Sequence, residues 1–228
     1  MPTRKITRSP VKVTGTASDG QQFESTLEED LLVLLRFNRL IDRVKTQPVT
    51  IEWADATGKI RTYTPDVLVH YRKDLEESGD LPSKLCEVKP DFGEKDGNNN
   101  RRYPPRSENE EENKLKWAAA SRFAALRGWE FEVVRESAIR TPYLTNVKFL
   151  LRYLERGHQG QHEADMLACL QQDGPLSIEA LARRFSTDLQ SRAKILPTCY
   201  RLIATQQITV DLTQPLSLQT ILTSIDAG

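Results

Sequence analysis

The sequence predicts an α/β fold, a mixed central sheet flanked by helices, followed by a smaller α-rich unit of winged-helix type. Three observations carry this expectation. Hydrophobic patterning over residues 25–156 runs helix, three strands, helix, strand, helix. Composition changes at Gly157, beyond which two short helical patterns, a longer one and a β element follow. A chain of 228 residues is also long enough to bury a core in one large or two small domains. The expected division is therefore a basic extended arm over 1–24, an α/β domain over 25–156 and a docking domain over 157–228.

The arm carries Arg4, Lys5, Arg8 and Lys12 against Asp19 and Glu24. A DNA-tracking arm and a solubilising tail are both open readings, since lysine and arginine displace counterions condensed on DNA. Ser25-Thr26-Leu27-Glu28 has the form of a capping box, and Leu27, Leu31, Leu34 and Leu35 continue a helix to about Leu40. Val49 to Trp53 and Lys59 to Tyr71 are strand-like, joined by the turn Ala54-Asp55-Ala56-Thr57-Gly58. A third strand is Lys84-Leu85-Cys86-Glu87-Val88-Lys89. From Pro90 to about Asn109 the chain is polar and rich in Gly, Asn, Pro and Arg, which predicts a long mobile loop whose Asn98 to Arg106 part is a second candidate DNA or partner contact.

Glu110 to Leu126 reads as a helix with Leu115, Ala118, Ala119, Arg122, Phe123 and Leu126 on its inner face and Gly128 after its end. Lys114 and Arg122 are candidate phosphate contacts, although a solvated helix face is the simpler reading of both. A strand over Trp129 to Val134 and a helix over Tyr143 to Glu155 complete the domain. Beyond Gly157, helices are expected over 164–170, 177–185 and 189–205, with Pro197 starting or kinking the last. A strand over 207–212 follows. Five basic residues there face seven acidic ones. A net negative domain fits protein docking better than independent DNA binding.

Composition narrows the function classes. Lysine plus arginine equals aspartate plus glutamate at 32 each, so only a local basic patch would recruit nucleic acid. No apolar run approaches the ~20 residues that cross a bilayer, and the basic N-terminus lacks the apolar stretch of a signal peptide. Cys86, Cys169 and Cys199 are scattered and the three histidines add no zinc spacing, which points to a reducing, cytoplasmic setting.

The chemistry sits in two strands. Asp66, in Tyr63-Thr64-Pro65-Asp66-Val67, is a residue type depleted in strands, yet strong β-formers follow it directly. Strand alternation puts Glu87 and Lys89 on one face with Leu85, and Cys86 and Val88 on the other. If the two strands pair, two carboxylates converge with a lysine beside them. Such carboxylates resist joint ionisation unless a cation compensates them, and hard oxygen ligands suit Mg²⁺, with Mn²⁺ as a substitute. That combination serves phosphodiester hydrolysis.

Asp66-Val67 after Pro65, with Glu87-Val88-Lys89, resembles the PD-(D/E)xK nuclease superfamily. The flanks narrow the resemblance: Phe23 to Glu28 before the leucine-rich helix, Gln47-Pro48, Thr64-Pro65-Asp66, Glu87 to Pro90, and Ile139-Arg140-Thr141-Pro142 before Asn146 to Tyr153. Together these look like TnsA, the endonuclease subunit of heteromeric transposases, over about residues 8–155. The resemblance implies a restriction-endonuclease-like core and a winged-helix-like C-terminal domain. It implies that Glu28, Asp66 and Glu87 bind divalent metal and that Lys89 assists the water. It also implies strand cleavage at the 5′ ends of a transposon in a bacterial cytoplasm, with a TnsB-type transposase and a TnsC-type ATPase as partners. The Asp91 to Arg106 segment is longer and more polar than the family pattern.

Plainer readings stand beside these. Glu28 completes a capping box with Ser25, Asp66 bonds a nearby backbone amide, and Glu87 with Lys89 forms a solvated stripe worth only ~0–1 kcal/mol. A stand-alone restriction or repair nuclease, and a non-catalytic subunit docking on the ATPase, are the rival functions.

Overall fold

The computed structural model describes residues 15–16, 20, 22–91, 110–155, 162–186 and 188–225. Two compact units divide between Ile139 and Arg140.

The first unit opens with two short strands, β1 (Gly15–Thr16) and β2 (Gln22–Phe23), paired antiparallel. A Cβ on Gly15 would lie 2.5 Å from the Phe23 ring, so only glycine lets the buried ring close over the ribbon. The end of the expected arm is thus folded back. Helix α1 (Thr26–Phe37) follows, three residues shorter than the leucine pattern predicted. The chain then forms β3 (Ile41–Thr46), the hairpin β4 (Ile51–Ala54) and β5 (Ile60–Tyr63), and strands β6 (Val67–Tyr71) and β7 (Lys84–Lys89). Helix α2 (Glu110–Ala125), β8 (Glu130–Arg135) and the short α3 (Glu136–Ile139) end the unit.

Asp55 builds the β4–β5 turn. Its Oδ1 accepts from the backbone N–H groups of Thr57 at 2.9 Å and Lys59 at 3.1 Å, and Gly58 supplies the positive φ of 80°. The strand expected over Lys59 to Tyr71 is broken at Thr64-Pro65-Asp66, which separates β5 from β6.

The main sheet has the order β3-β6-β7-β8. The β3–β6 and β6–β7 pairs are antiparallel, while β7 and β8 run parallel. A parallel neighbour needs a crossover, and α2 lies on that connection. Strand β7 is hydrogen-bonded on both sides and Leu85 is fully buried. Leu68, Leu85, Ile51, Trp53 and Tyr63 pack with Ala119, Ala120 and Ala124 of α2 in one core. Val67, Val69, Cys86 and Val88 alternate to the other face, where α1 packs on β3 and β7. Cys86 is a buried small apolar residue whose thiol burial pushes up to about 12.

The inner face of α2 differs from the sequence expectation. Leu115 and Leu126 are 39% and 85% exposed, and Ala118 and Arg122 are exposed too. The buried stripe is Ala119, Ala120 and Ala124, with Trp117 and Phe123 beside it. Alanines bring the helix backbone close to β4 and β8, a packing that leucine at those positions would block.

The second unit holds α4 (Pro142–Glu155), α5 (Glu163–Asp173), β9 (Leu176–Ser177), α6 (Ile178–Phe185), α7 (Leu189–Ala204), β10 (Ile208–Thr209) and β11 (Ile221–Ser224). The three strands form one antiparallel sheet in the order β10-β11-β9. Helix α7 runs through Pro197. Helix α4 packs on α7, with Phe149 and Tyr153 against the Tyr200 ring at centroid distances of 4.9 and 5.2 Å. The contact boundary therefore falls before α4, whereas the composition change that set the expected boundary falls after it. Among the described residues, no helix is long and apolar enough to cross a membrane.

Candidate active site

Strands β6 and β7 pair as the sequence reading required, with Val67 opposite Cys86 and Leu68 opposite Leu85. Asp66 stands one residue before this ladder, and its N–H donates to Cys86 O at 3.1 Å. Its carboxylate Oδ2 accepts from Val88 N at 2.7 Å. That contact fixes Asp66 across the strand from Glu87. The expected backbone-amide role and the expected convergence of carboxylates therefore coexist in one residue.

Glu87 is only 3% exposed. Burying a carboxylate is costly unless hydrogen bonds and counter-charge surround it. Both oxygens are engaged: Lys89 Nζ lies 2.7 Å from Oε1, and Tyr63 OH donates to Oε2 at 2.6 Å. The solvated-stripe reading of Glu87 and Lys89 fails on this burial. Burial first, and then the charge and hydrogen bond of Glu87, push the Tyr63 phenol far above its ordinary range, so it remains a donor.

Asp66 is held well above the usual carboxylate range, first by burial and then by the charges of Glu87 and Glu28. Glu28 is raised as well, chiefly by burial, with Glu24 and Glu87 adding to the effect. The Glu28 carboxylate itself is used in the capping box. Ser25 Oγ donates to Oε1 at 2.9 Å, Glu24 N donates to Oε2 at 2.9 Å, and Glu28 N donates to Ser25 Oγ at 3.2 Å. Its charge reaches Asp66, but its oxygens face the helix end. Among the described residues, no three Asp, Glu, His or Cys side chains stand as a ready-made metal cluster.

A cleft of about 400 Å³ opens here, lined by Trp53, Tyr63, Asp66 and Glu87 together with Glu24, Gln47 and Lys116. Gln47 adopts φ 45°, a left-handed backbone that costs a non-glycine residue about 1–3 kcal/mol. Two contacts accompany it: Gln47 N donates to Asp66 O at 2.7 Å, and Nε2 donates to Glu24 Oε1 at 3.2 Å. The turn thereby ties the residue before α1's cap to Asp66, which leads into β6.

Sequence reasoning missed Tyr63, Glu24 and Lys116. Lys116 Nζ sits 3.9 Å from Glu87 Oε1 and 4.9 Å from the Tyr63 ring centroid, and desolvation lowers its pKa. The alanines held the signal, because residue 116 is three and four positions before Ala119 and Ala120 and shares their face. Lys114 and Arg122 are exposed on α2. Arg4, Lys5, Arg8 and Lys12, and the expected loop over 92–109 with its Asn98 to Arg106 part, lie outside the described residues.

The chain matches two family models in tandem. Residues 38–136 match the TnsA-like endonuclease N terminal and residues 138–212 match the TnsA endonuclease C terminal. The junction falls beside the Ile139/Arg140 division between the compact units. Asp66, Glu87 and Lys89 lie inside the first match, and Glu28 lies before it. No curated protein matches the chain. By these two adjoining matches, the chain belongs to the TnsA endonuclease family.

Proposed function

We propose that this protein is the Mg²⁺-dependent subunit that hydrolyses phosphodiesters at the 5′ ends of a transposon, acting with a TnsB-type transposase and a TnsC-type ATPase. The observation that carries the reading is the convergence of Asp66 and Glu87 in one cleft, with Lys89 Nζ 2.7 Å from the Glu87 carboxylate.

The donor set fits a hard divalent cation. It is made of oxygens, and the carboxylates raise one another's proton affinity, as uncompensated acids do. Asp66 and Glu87 would hold the ion directly, with Glu28 contributing charge from the capping box. Bound there, Mg²⁺ would supply a lowered water pKa and neutralise charge on the phosphate. The protein's own groups do the remaining work. Val88 N–H and Tyr63 OH fix the two carboxylates in place. Lys89 is placed to orient the attacking water and to stabilise negative charge developing on phosphate oxygens.

The second unit, in which α5, β9, α6, α7, β10 and β11 follow α4 and the three strands form one antiparallel sheet, supports a winged-helix reading and a docking role toward the ATPase. The test is strand-resolved cleavage of transposon-end duplexes in Mg²⁺. Cleavage confined to the 5′-end strand, and dependent on both partners, is the expected result. Efficient cutting of unrelated DNA by the isolated protein would replace this reading with a stand-alone nuclease.

Glu28→Gln separates the cap from the charge, because glutamine also serves a capping box. The melting temperature should hold, while the Mg²⁺ concentration for half-maximal cleavage should rise about 10–100-fold, as for supporting residues around a metal. An unchanged Mg²⁺ requirement would leave Glu28 a cap alone.

A further inference from the structure

We propose that Lys116 is a phosphate contact of this site, an ammonium that grips a backbone phosphate of the DNA strand and seats it against Asp66 and Glu87. The inference rests on the reading of the cleft as the site of strand cleavage, and it adds a residue that the D…ExK pattern does not contain.

The argument starts from the division of labour between two lysines at one carboxylate. Lys89 sits 2.7 Å from Glu87 Oε1, within hydrogen-bond distance, and Tyr63 occupies Oε2. Lys116 stands 3.9 Å from the same Oε1, beyond hydrogen-bond distance, and among the described residues that is its nearest acidic oxygen. Glu87 is therefore already satisfied without Lys116. Among the described residues, moreover, the cleft lining includes Lys116 and not Lys89.

The Lys116 side chain is 18% exposed, a degree of burial that a lysine bears only with compensation. Its Nζ lies 4.9 Å from the Tyr63 ring centroid and 5.9 Å from that of Trp117, so two aromatic faces hold the ammonium by cation–π attraction. These rings fix its position and leave its N–H donors for an incoming acceptor. The cleft's acids, Glu24, Asp66, Glu87 and Glu112, would repel a phosphodiester. Besides any bound metal, the cations among the described residues of the lining that oppose this repulsion are Lys116 and Arg61. Arg61 is committed to Asp55 at 2.9 Å in the hairpin turn. Lys116 is thus the lining cation best placed to meet a phosphate oxygen.

The test is binding of a fluorescein-labelled DNA duplex to the full chain, without divalent metal and at low ionic strength, followed by anisotropy across a salt series. Wild type, Lys116→Met, Lys116→Arg and Asp66→Asn are compared, each checked by its melting curve. Loss of one phosphate contact should weaken binding by about tenfold in Lys116→Met and lower the slope of log K against log salt by about 1. Lys116→Arg should keep the wild-type slope, which a merely structural role would not require. Asp66→Asn should bind at least as well as wild type. Equal affinity and slope for wild type and Lys116→Met would overturn the proposal, as would a wild-type chain that binds no duplex at low salt. Strand cleavage by the same proteins keeps the two readings apart. Cleavage surviving in Asp66→Asn refutes the assignment of the nuclease site, whereas the salt slopes decide Lys116 independently.

Discussion

Asp66→Asn is expected to abolish strand cleavage while raising the thermal stability of the metal-free protein. Asparagine keeps the acceptor that Val88 N uses at 2.7 Å, so the strand geometry survives. It removes one of three carboxylates that act on each other across the site. Burial and the charges of Glu87 and Glu28 raise the Asp66 pKa in the folded chain. A raised carboxyl binds its proton more tightly when folded, so its stabilising contribution is complete below the ordinary carboxylate pKa. That contribution is lost as pH climbs through the raised folded value. Toward neutral pH the wild type therefore bears the cost of a crowded carboxylate, and the asparagine variant does not. Each kcal/mol recovered should move the melting midpoint by roughly 2–4 °C in a chain of this size. The gain should shrink as the buffer is made more acidic.

Mg²⁺ should reverse the order. An ion that binds only the folded state adds stability as the logarithm of one plus its concentration divided by its Kd, so wild type should gain and Asp66→Asn should stay flat. Cleavage should fall on the order of 10³-fold or more, because several kcal/mol of charge stabilisation disappear with the ligand. Parallel melts with and without Mg²⁺, beside one cleavage time course, check all three parts. An Asp66→Asn protein that still cut, or that answered Mg²⁺ as wild type does, would remove Asp66 from the site.

Strand β7 was legible because its period of two is unambiguous. Alternation along Lys84 to Lys89 placed Glu87 and Lys89 on one face, and the pairing of β6 with β7 placed Asp66 beside them. Strand β3 was not legible: Ile41-Asp42-Arg43-Val44-Lys45-Thr46 is a sheet-edge strand with three charged residues, and its apolar signal is weak. The orientation of α2 was misread for a different reason. Hydropathy favours Leu115 and Leu126, but close approach to β4 favours Ala119, Ala120 and Ala124, and packing decided the rotation. That rotation is why Lys116, and neither Lys114 nor Arg122, reaches Glu87. The boundary between the units was hidden similarly. The partner of α4 is α7, more than 30 residues away, and no local pattern names it.

Asn146 lies in the segment that carried part of the family resemblance, and the fold gives it a structural task. It is 5% exposed on α4, and its side chain satisfies three backbone groups of the segment between β10 and β11. Nδ2 donates to Leu212 O at 2.9 Å and to Gln214 O at 2.7 Å, while Oδ1 accepts from Leu216 N at 3.1 Å. Asparagine alone among residues of this size offers two donors and an acceptor in one plane. Asn146→Ala strands all three backbone groups, each costing about 1–3 kcal/mol if it stays buried, so a total of roughly 3–5 kcal/mol is expected after relaxation. Asn146→Asp keeps the shape but turns carboxylate oxygens toward two carbonyl oxygens. At neutral pH it should be at least as damaging as alanine. Burial raises the pKa of such a carboxyl, and its protonated form can donate to one carbonyl, so the aspartate variant should recover part of its stability on acidification while alanine does not. All three tryptophans, Trp53, Trp117 and Trp129, lie in the first unit. Tryptophan fluorescence should therefore keep its wild-type midpoint, while far-UV circular dichroism acquires an earlier transition. Coincident shifts of both signals, or equal pH responses from the alanine and aspartate variants, would contradict the assignment of Asn146 as the clasp of the second unit.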